Sequence, residues 1–323
     1  MKLLIVTPAP KGSTKGNRIT AERWAGFLQQ LGRQVHVFET LTPETCRQHA
    51  KADALIALHA RKSADSVALF QERFPGNPVL VALTGTDLHD DLEHSPVAQR
   101  TLQNADRLIL LEPEGIKKLP LDYQAKAVVI YQSAERLPNP PKPNPQRFEI
   151  TVIGHLRAVK DPFRAAISSR DLPEDSRIQI LHIGAALSET MQSRAKQETA
   201  TNARYLWKGG LSHQETQQLL ARSRLTVLTS QLEGAPSVIS EAIVADVPVL
   251  MTRIPAAIGM LGEDYPGLFP VGDTKRLTQL MLQAEQDQDF YQSLRNACNH
   301  RKHLYTPERE LESWRLLLKG GRG

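Results

Sequence analysis

Short apolar runs alternate with helical patterns along almost the whole chain, and this alternation limits the fold more than any other feature. The first series of runs lies at residues 3–7, 35–38, 54–59, 79–84, 107–111 and 128–131. Between the first two runs, residues 19–31 carry apolar side chains at helical spacing, and the pattern stops at Gly32. Apolar strands that alternate with helices are typical of parallel, doubly wound sheets. The sequence therefore predicts an α/β fold.

A proline-rich segment separates this first series of runs from a second one. Residues 137–147 read LPNPPKPNPQR, with five prolines among eleven residues, a composition that suits a stiff spacer better than a helix or a central strand. The second series lies at residues 148–153, 178–183, 225–229 and 247–251. Within it, Ser212 and Glu215 predict a capping box at the start of a helix. The second half of the chain is therefore predicted to form another doubly wound sheet.

Two domains follow from this pattern and from the length of the chain. A chain of 323 residues exceeds what one hydrophobic core usually serves. We expect an N-terminal Rossmann-like domain at residues 1–136, a linker at 137–147, a C-terminal Rossmann-like domain at 148–304 and a helix over residues 305–323. Ligands of doubly wound sheets bind outside the carboxyl ends of the strands, so the sequence predicts two sheets that face a cleft.

Composition and charge exclude several classes of protein. Lysine and arginine number 40 against 35 aspartate and glutamate residues, and no run of basic residues concentrates the net charge of +5. Aromatic residues make up 5%, too few for the stacking that single-stranded nucleic acid requires, so no nucleic acid partner is expected. The first apolar run is too short for a signal peptide or a membrane span, which predicts a cytoplasmic protein. Cys46 and Cys298 lack metal-ligand spacing and are predicted to be buried free thiols.

Two glutamates stand eight positions apart at a predicted junction between a loop and a helix. The segment reads EGAPSVISE from Glu233 to Glu241, and Pro236 suits the first turn of a helix because its missing N–H would be unpaired there. Free amides at such a helix start attract phosphate. Glu241 would lie about one turn inside the helix, where its carboxylate could accept hydrogen bonds from the hydroxyls of a ribose. Glu233 could do the same for a hexose; the alternative is an amphipathic helix with two surface acids.

Two cations follow the first strand of the second series. Asp161 can cap a helix that has Pro162 at its first position, which leaves Arg157 and Lys160 in the preceding loop. Fixed cations in that loop could stabilise the negative charge that develops on a diphosphate leaving group. Solvated loop cations are the alternative interpretation.

Further polar residues follow the predicted strands of the first domain. The loop at residues 9–18 places Gly12 and Gly16 between a strand and a helix and could wrap a phosphate, although it matches neither a P-loop nor a dinucleotide-binding fingerprint. Candidate acceptor ligands are Lys11, Lys15, Asn17, Arg18, His59, Arg61 and Asp87. A structural histidine and a helix cap at Asp87 are the alternatives. Residues 287–289 form a lone DxD in an acidic helical segment, so neither a metal site nor a cofactor is predicted.

The glutamate motif resembles the nucleotide-sugar site of family-4 glycosyltransferases, which have the GT-B fold. Their usual pattern is E-G-x-P with a second glutamate eight positions on, and residues 233–241 match it. The resemblance implies two Rossmann-like domains and a C-terminal helix that packs back on the first. It assigns the ribose to Glu241, the donor sugar to Glu233 and the diphosphate to the two loop cations. It further implies donor contacts from Gly12, Gly234, Ala235, Pro236 and Ser237. Gly85 stands where many of these enzymes have a histidine that contacts the sugar 6-hydroxyl.

Four blocks of the sequence resemble a narrower group, the selenosugar synthases of selenoneine biosynthesis. The blocks read TPAPKGSTKGNRITAERWA, ALHARKSADS, ALTGTDLHDDL and VIYQSA. The resemblance implies that selenophosphate attacks the anomeric carbon of a UDP-sugar, expected to be UDP-N-acetylglucosamine, and that UDP is released. Alternatives are a transferase with an oxygen acceptor on a glycan or glycolipid, a UDP-sugar epimerase and a non-catalytic nucleotide-binding protein. The sequence leaves protein partners undefined.

Overall fold

The two series of apolar runs form two parallel sheets, one in each of two structural units. A computed structural model describes residues 1–13, 15–85, 87–88 and 92–319. The first unit comprises Met1–Gln132 and the segment from Pro307 onward, and the second comprises Ser133–Thr306. Residues 137–147, which we predicted as a linker, contain no helix or strand and belong to the second unit.

Six parallel strands build the sheet of the first unit. They are β1 (Lys2–Val6), β2 (Gln34–Phe38), β3 (Ala54–Leu58), β4 (Val79–Leu83), β5 (Arg107–Leu110) and β6 (Ala127–Val129). Their order is β2-β1-β3-β4-β5-β6, and every neighbouring pair is parallel. Every residue of β3 and β4 is buried, as expected for central strands of a sheet covered on both faces. Parallel pairing brings the carboxyl ends of all six strands to one edge.

Helices connect these strands. Those of the first unit are α1 (Gly16–Gln30), α2 (Pro43–Gln48), α3 (Ala64–Arg73), α4 (Leu92–His94), α5 (Pro96–Gln103) and α6 (Leu121–Gln124), with a 3-10 turn at Pro113–Lys118. The N-cap residues Thr42 and Ser95 accept hydrogen bonds from backbone amides of the first turns of α2 and α5. These caps satisfy donors that a helix leaves unpaired at its start.

The C-terminal helix packs against α1 within the first unit through buried tryptophans. This helix spans Pro307–Lys319, and residues 320–323 of the predicted helix lie outside the described residues. The rings of Trp24 and Trp314 meet edge to face with centroids 4.9 Å apart. The buried Glu310 accepts a hydrogen bond from Trp24 Nε1 at 2.8 Å and pairs with Arg23 at 3.3 Å. The carboxylate thus satisfies an indole N–H that would otherwise be buried without an acceptor.

The second unit contains another sheet of six parallel strands. They are β7 (Phe148–Ile153), β8 (Ile178–Ile183), β9 (Tyr205–Trp207), β10 (Leu225–Leu228), β11 (Val249–Thr252) and β12 (Leu268–Phe269). Their order is β12-β11-β10-β7-β8-β9. The helices are α7 (Arg164–Ser169), α8 (Glu189–Thr201), α9 (His213–Arg222), α10 (Ser237–Val244), α11 (Pro255–Leu261), α12 (Thr274–Gln286) and α13 (Gln288–Arg301), which makes the helix at Pro307–Lys319 α14. Short 3-10 turns lie at Ala158–Lys160 and Lys302–Tyr305.

The predicted α/β fold with two doubly wound parallel sheets is confirmed. The capping box at Ser212 and Glu215 begins α9 as expected, and Asp287 of the DxD caps the first turn of α13. Cys46 and Cys298 are buried and free. Among the helices of the described residues, none combines the length and the apolar character that a membrane crossing requires.

Candidate functional site

A pocket opens at the carboxyl ends of the central strands of the second sheet. It encloses about 350 Å³, including the space at its open mouth, and is lined by residues of β7, β8 and β10 and of the segments that follow β7 and β10. Polar or flexible residues in its lining include Gly154, His155, Lys160, His182 and Ser230. Ligands of doubly wound sheets bind at this edge. The pocket is therefore the candidate site of the second unit.

A glycine lets the segments after β7 and β8 approach each other closely. A Cβ atom at Gly184 would lie 1.9 Å from the carbonyl oxygen of Gly154, so only glycine fits there. The next amide, that of Ala185, donates a hydrogen bond to Nδ1 of His155 at 3.2 Å. Because Nδ1 accepts this bond, a neutral His155 ring carries its proton on Nε2. The ring thus presents an N–H donor at the pocket.

The loop that follows β7 carries the two predicted cations. Arg157 is exposed, and no described residue forms a hydrogen bond or ion pair with its guanidinium. We predicted that Asp161 caps a helix beginning at Pro162, and this is wrong: α7 begins at Arg164, and Asp161 has left-handed backbone with φ of 41°. Its carboxylate instead accepts a hydrogen bond from Arg164 Nε at 2.7 Å. Aspartate tolerates this backbone conformation better than most residues, so the sharp turn forms without glycine.

The structure brings the cation loop and the glutamate motif into direct contact. Lys160 Nζ lies 2.6 Å from Oε1 of Glu233, and Ser230 Oγ donates to the same oxygen at 2.6 Å. Both charged side chains are largely buried, with 28% and 14% of their surfaces exposed. The hydroxyl of Thr229 bonds the carbonyl oxygens of Lys160 and Asp161 at 3.0 and 2.9 Å. The segment after β10 therefore fixes the backbone of Lys160 and pairs with its ammonium.

The second glutamate lies on the helix that follows. Pro236 is the N-cap residue of α10 and Ser237 its first residue, so the helix starts one position later than the sequence predicts. Gly234 and Ala235 form the approach to this start, where the first-turn amides lack acceptors within the helix. Glu241 is partly exposed, and within the described ranges no residue bonds its carboxylate. Its predicted ribose contact stays a prediction.

Burial sets the protonation of the two pocket histidines. His182 is 1% exposed, and burial lowers its pKa to about 4. Its Nδ1 lies 2.8 Å from the hydroxyl of Tyr205 and its Nε2 lies 3.3 Å from the carbonyl oxygen of Gly154. The pKa of His155 also lies below its usual range. Desolvation is the main cause, and the positive charges of Lys160 and Arg157 lower it further. The His182 ring is therefore neutral at neutral pH, and the environment of His155 favours its neutral form.

Acid should destabilise the second unit through His182. Between pH 6.5 and 4 the unfolded chain takes up a proton that the folded chain does not, so the free energy of unfolding falls as the pH is lowered. We expect His182→Gln to remove about 2 kcal/mol of this loss between pH 7 and pH 5. Urea unfolding at both pH values measures it, with the exposed His213→Gln as the control. Equal pH dependence in wild type and His182→Gln would contradict the prediction.

In the first unit, the predicted anion loop lies between β1 and α1. Gly12 has left-handed backbone with φ of 77°, and the amide of Lys11 donates to the carboxylate of Glu39 at 2.9 Å. Lys15 is exposed at the N-cap of α1. Arg18 is only 5% exposed, and its Nε pairs with Glu22 at 2.7 Å. Asn17 is half-buried on the first turn of α1. The structure thus places these five candidates on one segment and gives the Arg18 guanidinium an acidic neighbour.

The other acceptor candidates follow β3 and β4. His59 is buried with left-handed backbone, φ 74°, and its Nδ1 lies 3.9 Å from Oδ2 of Asp87. The carboxylate of Asp87 accepts backbone amides of Ala60, Thr84 and Gly85 at 2.9–3.1 Å. Burial raises the pKa of Asp87. Its bonds tie the ends of β3 and β4 together, a structural task that does not depend on a ligand. Arg61, two positions after His59 in the chain, is exposed, and Thr86 of the loop after β4 lies outside the described residues.

Sequence reasoning missed one buried acid in the first unit. Glu112 follows β5, is 2% exposed, and accepts the amide of Glu114 at 2.6 Å. Burial raises the pKa of Glu112 to about 7. Sequence reasoning also missed three residues of the pocket, which are His155, His182 and Ser230. A lone histidine or serine carries no spacing signal, so only the fold could have drawn attention to these residues.

Across the described ranges, no group of three or more His, Cys, Asp and Glu residues could hold a metal ion.

Comparisons with solved structures agree on the fold. HepE of Anabaena in complex with UDP is 15% identical, with 99% of this chain and 100% of that chain covered and a TM-score of 0.78. Sucrose-phosphate synthase from Thermosynechococcus elongatus is 14% identical, with coverage of 99% and 98% and a TM-score of 0.76. The apo form of the lipopolysaccharide outer core galactosyltransferase WaaB is 11% identical, with coverage of 99% and 100% and a TM-score of 0.73. These similarities confirm the GT-B fold.

The sequence itself matches a known family. The profile of the family described as "Glycosyl transferases group 1" matches residues 133–301, more than half of the chain. No curated protein sequence matches the chain. The matched residues include the pocket, the cation loop and both glutamates of the motif. The chain therefore belongs to the glycosyl transferases of group 1.

Proposed function

We propose that the protein transfers a sugar from a UDP-sugar and that the second unit holds this donor. The ion pair between Lys160 and Glu233 carries the proposal, because it joins the predicted diphosphate contact to the predicted sugar contact at one pocket. The similar HepE structures contain UDP, UDP with glucose, and UDP-glucose. Within this proposal, Glu241 accepts the ribose hydroxyls, and the amides at the start of α10 face the diphosphate.

The chemistry that the site offers is electrostatic. The bond between the anomeric carbon and the diphosphate oxygen breaks, and the electron pair stays with UDP. Negative charge on the diphosphate therefore grows toward the transition state, and Arg157 and Lys160 stabilise it more than they stabilise the bound donor. In its neutral form, the ring of His155 adds an uncharged N–H donor at the same loop.

Removal of the Glu241 carboxylate tests the nucleotide site. Glu241→Ala should weaken UDP binding by about 1.5–3 kcal/mol, the contribution of a hydrogen bond to a charged group. Calorimetry with UDP measures the change. Glu189→Ala, which removes an exposed acid from α8 of the same unit, is the matched control. Unchanged UDP affinity in Glu241→Ala would remove this residue from the ribose role.

For the acceptor we propose selenophosphate, on the basis of the four sequence blocks that resemble selenosugar synthases. Its selenium would attack the anomeric carbon of UDP-N-acetylglucosamine, form a carbon–selenium bond and displace UDP. Loss of phosphate by cleavage of the phosphorus–selenium bond with water would then yield the selenosugar. Selenium is a soft nucleophile that is already ionised, so the reaction needs little help from a general base. The basic residues of the first unit suit such an anion.

A product assay decides among the acceptors. Purified protein is incubated with UDP-N-acetylglucosamine and selenophosphate, and mass spectrometry detects a sugar that contains selenium. Inorganic phosphate replaces selenophosphate in the control. A product with a neutral sugar acceptor would favour the oxygen-acceptor transferase, and a changed UDP-sugar without any acceptor would indicate an epimerase. The absence of a selenium-containing product would overturn the acceptor proposal and leave the transferase proposal intact.

Loss of a cation in the first unit should weaken use of this anionic acceptor. Arg61→Met keeps much of the side-chain bulk and removes the charge, so it should raise the KM for selenophosphate about tenfold, as expected for one charge-assisted hydrogen bond. The KM for the UDP-sugar should not change. Arg47→Met, which alters an exposed arginine of α2, is the control. A normal KM for selenophosphate in Arg61→Met would exclude Arg61 from the acceptor site.

A further inference from the structure

Two hydrogen-bond donors share one oxygen of Glu233 and leave the other oxygen available. Lys160 Nζ and Ser230 Oγ each lie 2.6 Å from Oε1. No described residue bonds Oε2. We propose that Ser230 is a positioning residue that holds the Glu233 carboxylate in place for a sugar hydroxyl when Lys160 turns to the diphosphate. This inference rests on the proposed function, and it assigns a part in donor recognition to a residue outside the glutamate motif.

Ser230 is itself held rigidly. It is 3% exposed, and the hydroxyl of Thr252 on β11 donates to its carbonyl oxygen at 2.5 Å. The next amide, that of Gln231, donates to the carbonyl oxygen of Val159 at 2.8 Å. The backbone on both sides of the Ser230 side chain is thus tied to neighbouring segments of the second unit. A short side chain with one rotatable bond then offers its hydroxyl from a nearly fixed point.

Lys160 holds Glu233 differently. Its side chain is long and flexible, and its ammonium can rotate toward any nearby anion. A bound diphosphate would compete with Glu233 for this ammonium, because both are negatively charged. If Lys160 were the only partner of Glu233, donor binding would release the carboxylate at the moment when a sugar hydroxyl needs it. The bond from Ser230 does not depend on Lys160 and remains when the ammonium moves.

This arrangement predicts that loss of the Ser230 hydroxyl affects the binding of UDP and of UDP-N-acetylglucosamine differently. UDP has a diphosphate but lacks the hexose that Glu233 would contact, whereas UDP-N-acetylglucosamine has both. Loss of the Ser230 hydroxyl should therefore weaken the sugar contact and leave the nucleotide contacts intact. A merely structural defect at a residue so close to the pocket would weaken both ligands together.

Calorimetry with the two ligands tests the inference. In Ser230→Ala, the affinity for UDP-N-acetylglucosamine should fall about tenfold, as expected for a hydrogen bond to a charged group, and the affinity for UDP should stay within about twofold of wild type. Ser169→Ala is the matched control, because it removes another buried hydroxyl of the second unit. In the described part of the chain, this hydroxyl bonds only the carbonyl oxygen of Ala166 in α7 and the side-chain amide of Asn202. Ser230→Cys, which has a weak donor of similar size, should give the same result and replaces the alanine variant if that variant does not fold.

A double-mutant cycle shows whether Ser230 acts through Glu233. The Ser230→Ala change should have no further effect on UDP-N-acetylglucosamine affinity in a Glu233→Ala background. An equal loss in both backgrounds, an equal loss for both ligands, or no loss in Ser230→Ala would each overturn the positioning role while the donor site stands. If the wild type binds neither ligand, the proposed function fails and this inference fails with it.

Discussion

Lys160→Ala should lower the turnover of the UDP-sugar about 100-fold or more, the loss expected when a preorganised electrostatic stabiliser is removed. The negative charge of the leaving diphosphate grows as the glycosidic bond breaks, so a fixed cation contributes most at the transition state. Lys160 is well placed for this task, because the Thr229 hydroxyl bonds its backbone carbonyl and so fixes the point from which its ammonium reaches the diphosphate.

Steady-state kinetics separate this role from simple donor binding. The turnover of Lys160→Ala should fall far more than its KM for the UDP-sugar rises. Lys196→Ala, which removes an exposed lysine from α8, serves as the control. If only the KM rose and turnover were intact, Lys160 would be a binding residue and the transition-state role would be wrong.

Glu310→Ala should destabilise the first unit by about 3–5 kcal/mol, the usual cost of breaking a buried ion pair by removing one partner. The carboxylate is fully buried, and its loss would leave both Trp24 Nε1 and Arg23 without the acceptor that they share. An indole N–H buried without a partner adds to the cost.

Denaturant unfolding followed by tryptophan fluorescence measures this loss. Two of the three tryptophans, Trp24 and Trp314, lie in the first unit and contact each other, so their signal reports this unit. Glu312→Ala is the control, because Glu312 lies on the same helix and is 38% exposed, and among the described residues it pairs only with the exposed Arg315. A midpoint in Glu310→Ala equal to that of the control would show that the buried carboxylate contributes little.

The sheets could be predicted from the sequence because buried parallel strands need apolar residues on both faces. The runs at β3 and β4 are continuous for this reason and stand out against their flanks. Strands β9 and β12 escaped notice because runs of three and two residues have no recognisable period. The helix start predicted at Asp161 is wrong because Asp-Pro is a typical helix start, and no local sequence signal indicates left-handed backbone at this residue.

The site could be predicted only as far as local spacing reaches. Glu233 and Glu241 stand close in sequence at a helix start, so their pattern was visible. The contact between Lys160 and Glu233 joins residues 73 positions apart, and it depends on β7 and β10 being neighbours in the sheet. His182 lies in an apolar run and could be read only as part of a strand. The neutral state of His182 follows from its burial, and this burial cannot be predicted from the local sequence.

The helix α14 sets the order in which the first unit can be completed. Trp24 leaves the ribosome early, but its acceptor Glu310 lies 286 positions further along the chain. Until that helix emerges, the face of α1 that carries Trp24 is uncovered, and the whole second unit is synthesised in the interval. Of the two units, the first therefore begins to be translated earlier but is completed later. A nascent chain stalled before Pro307 should expose this tryptophan to solvent and to chaperones, even when its second unit is fully folded.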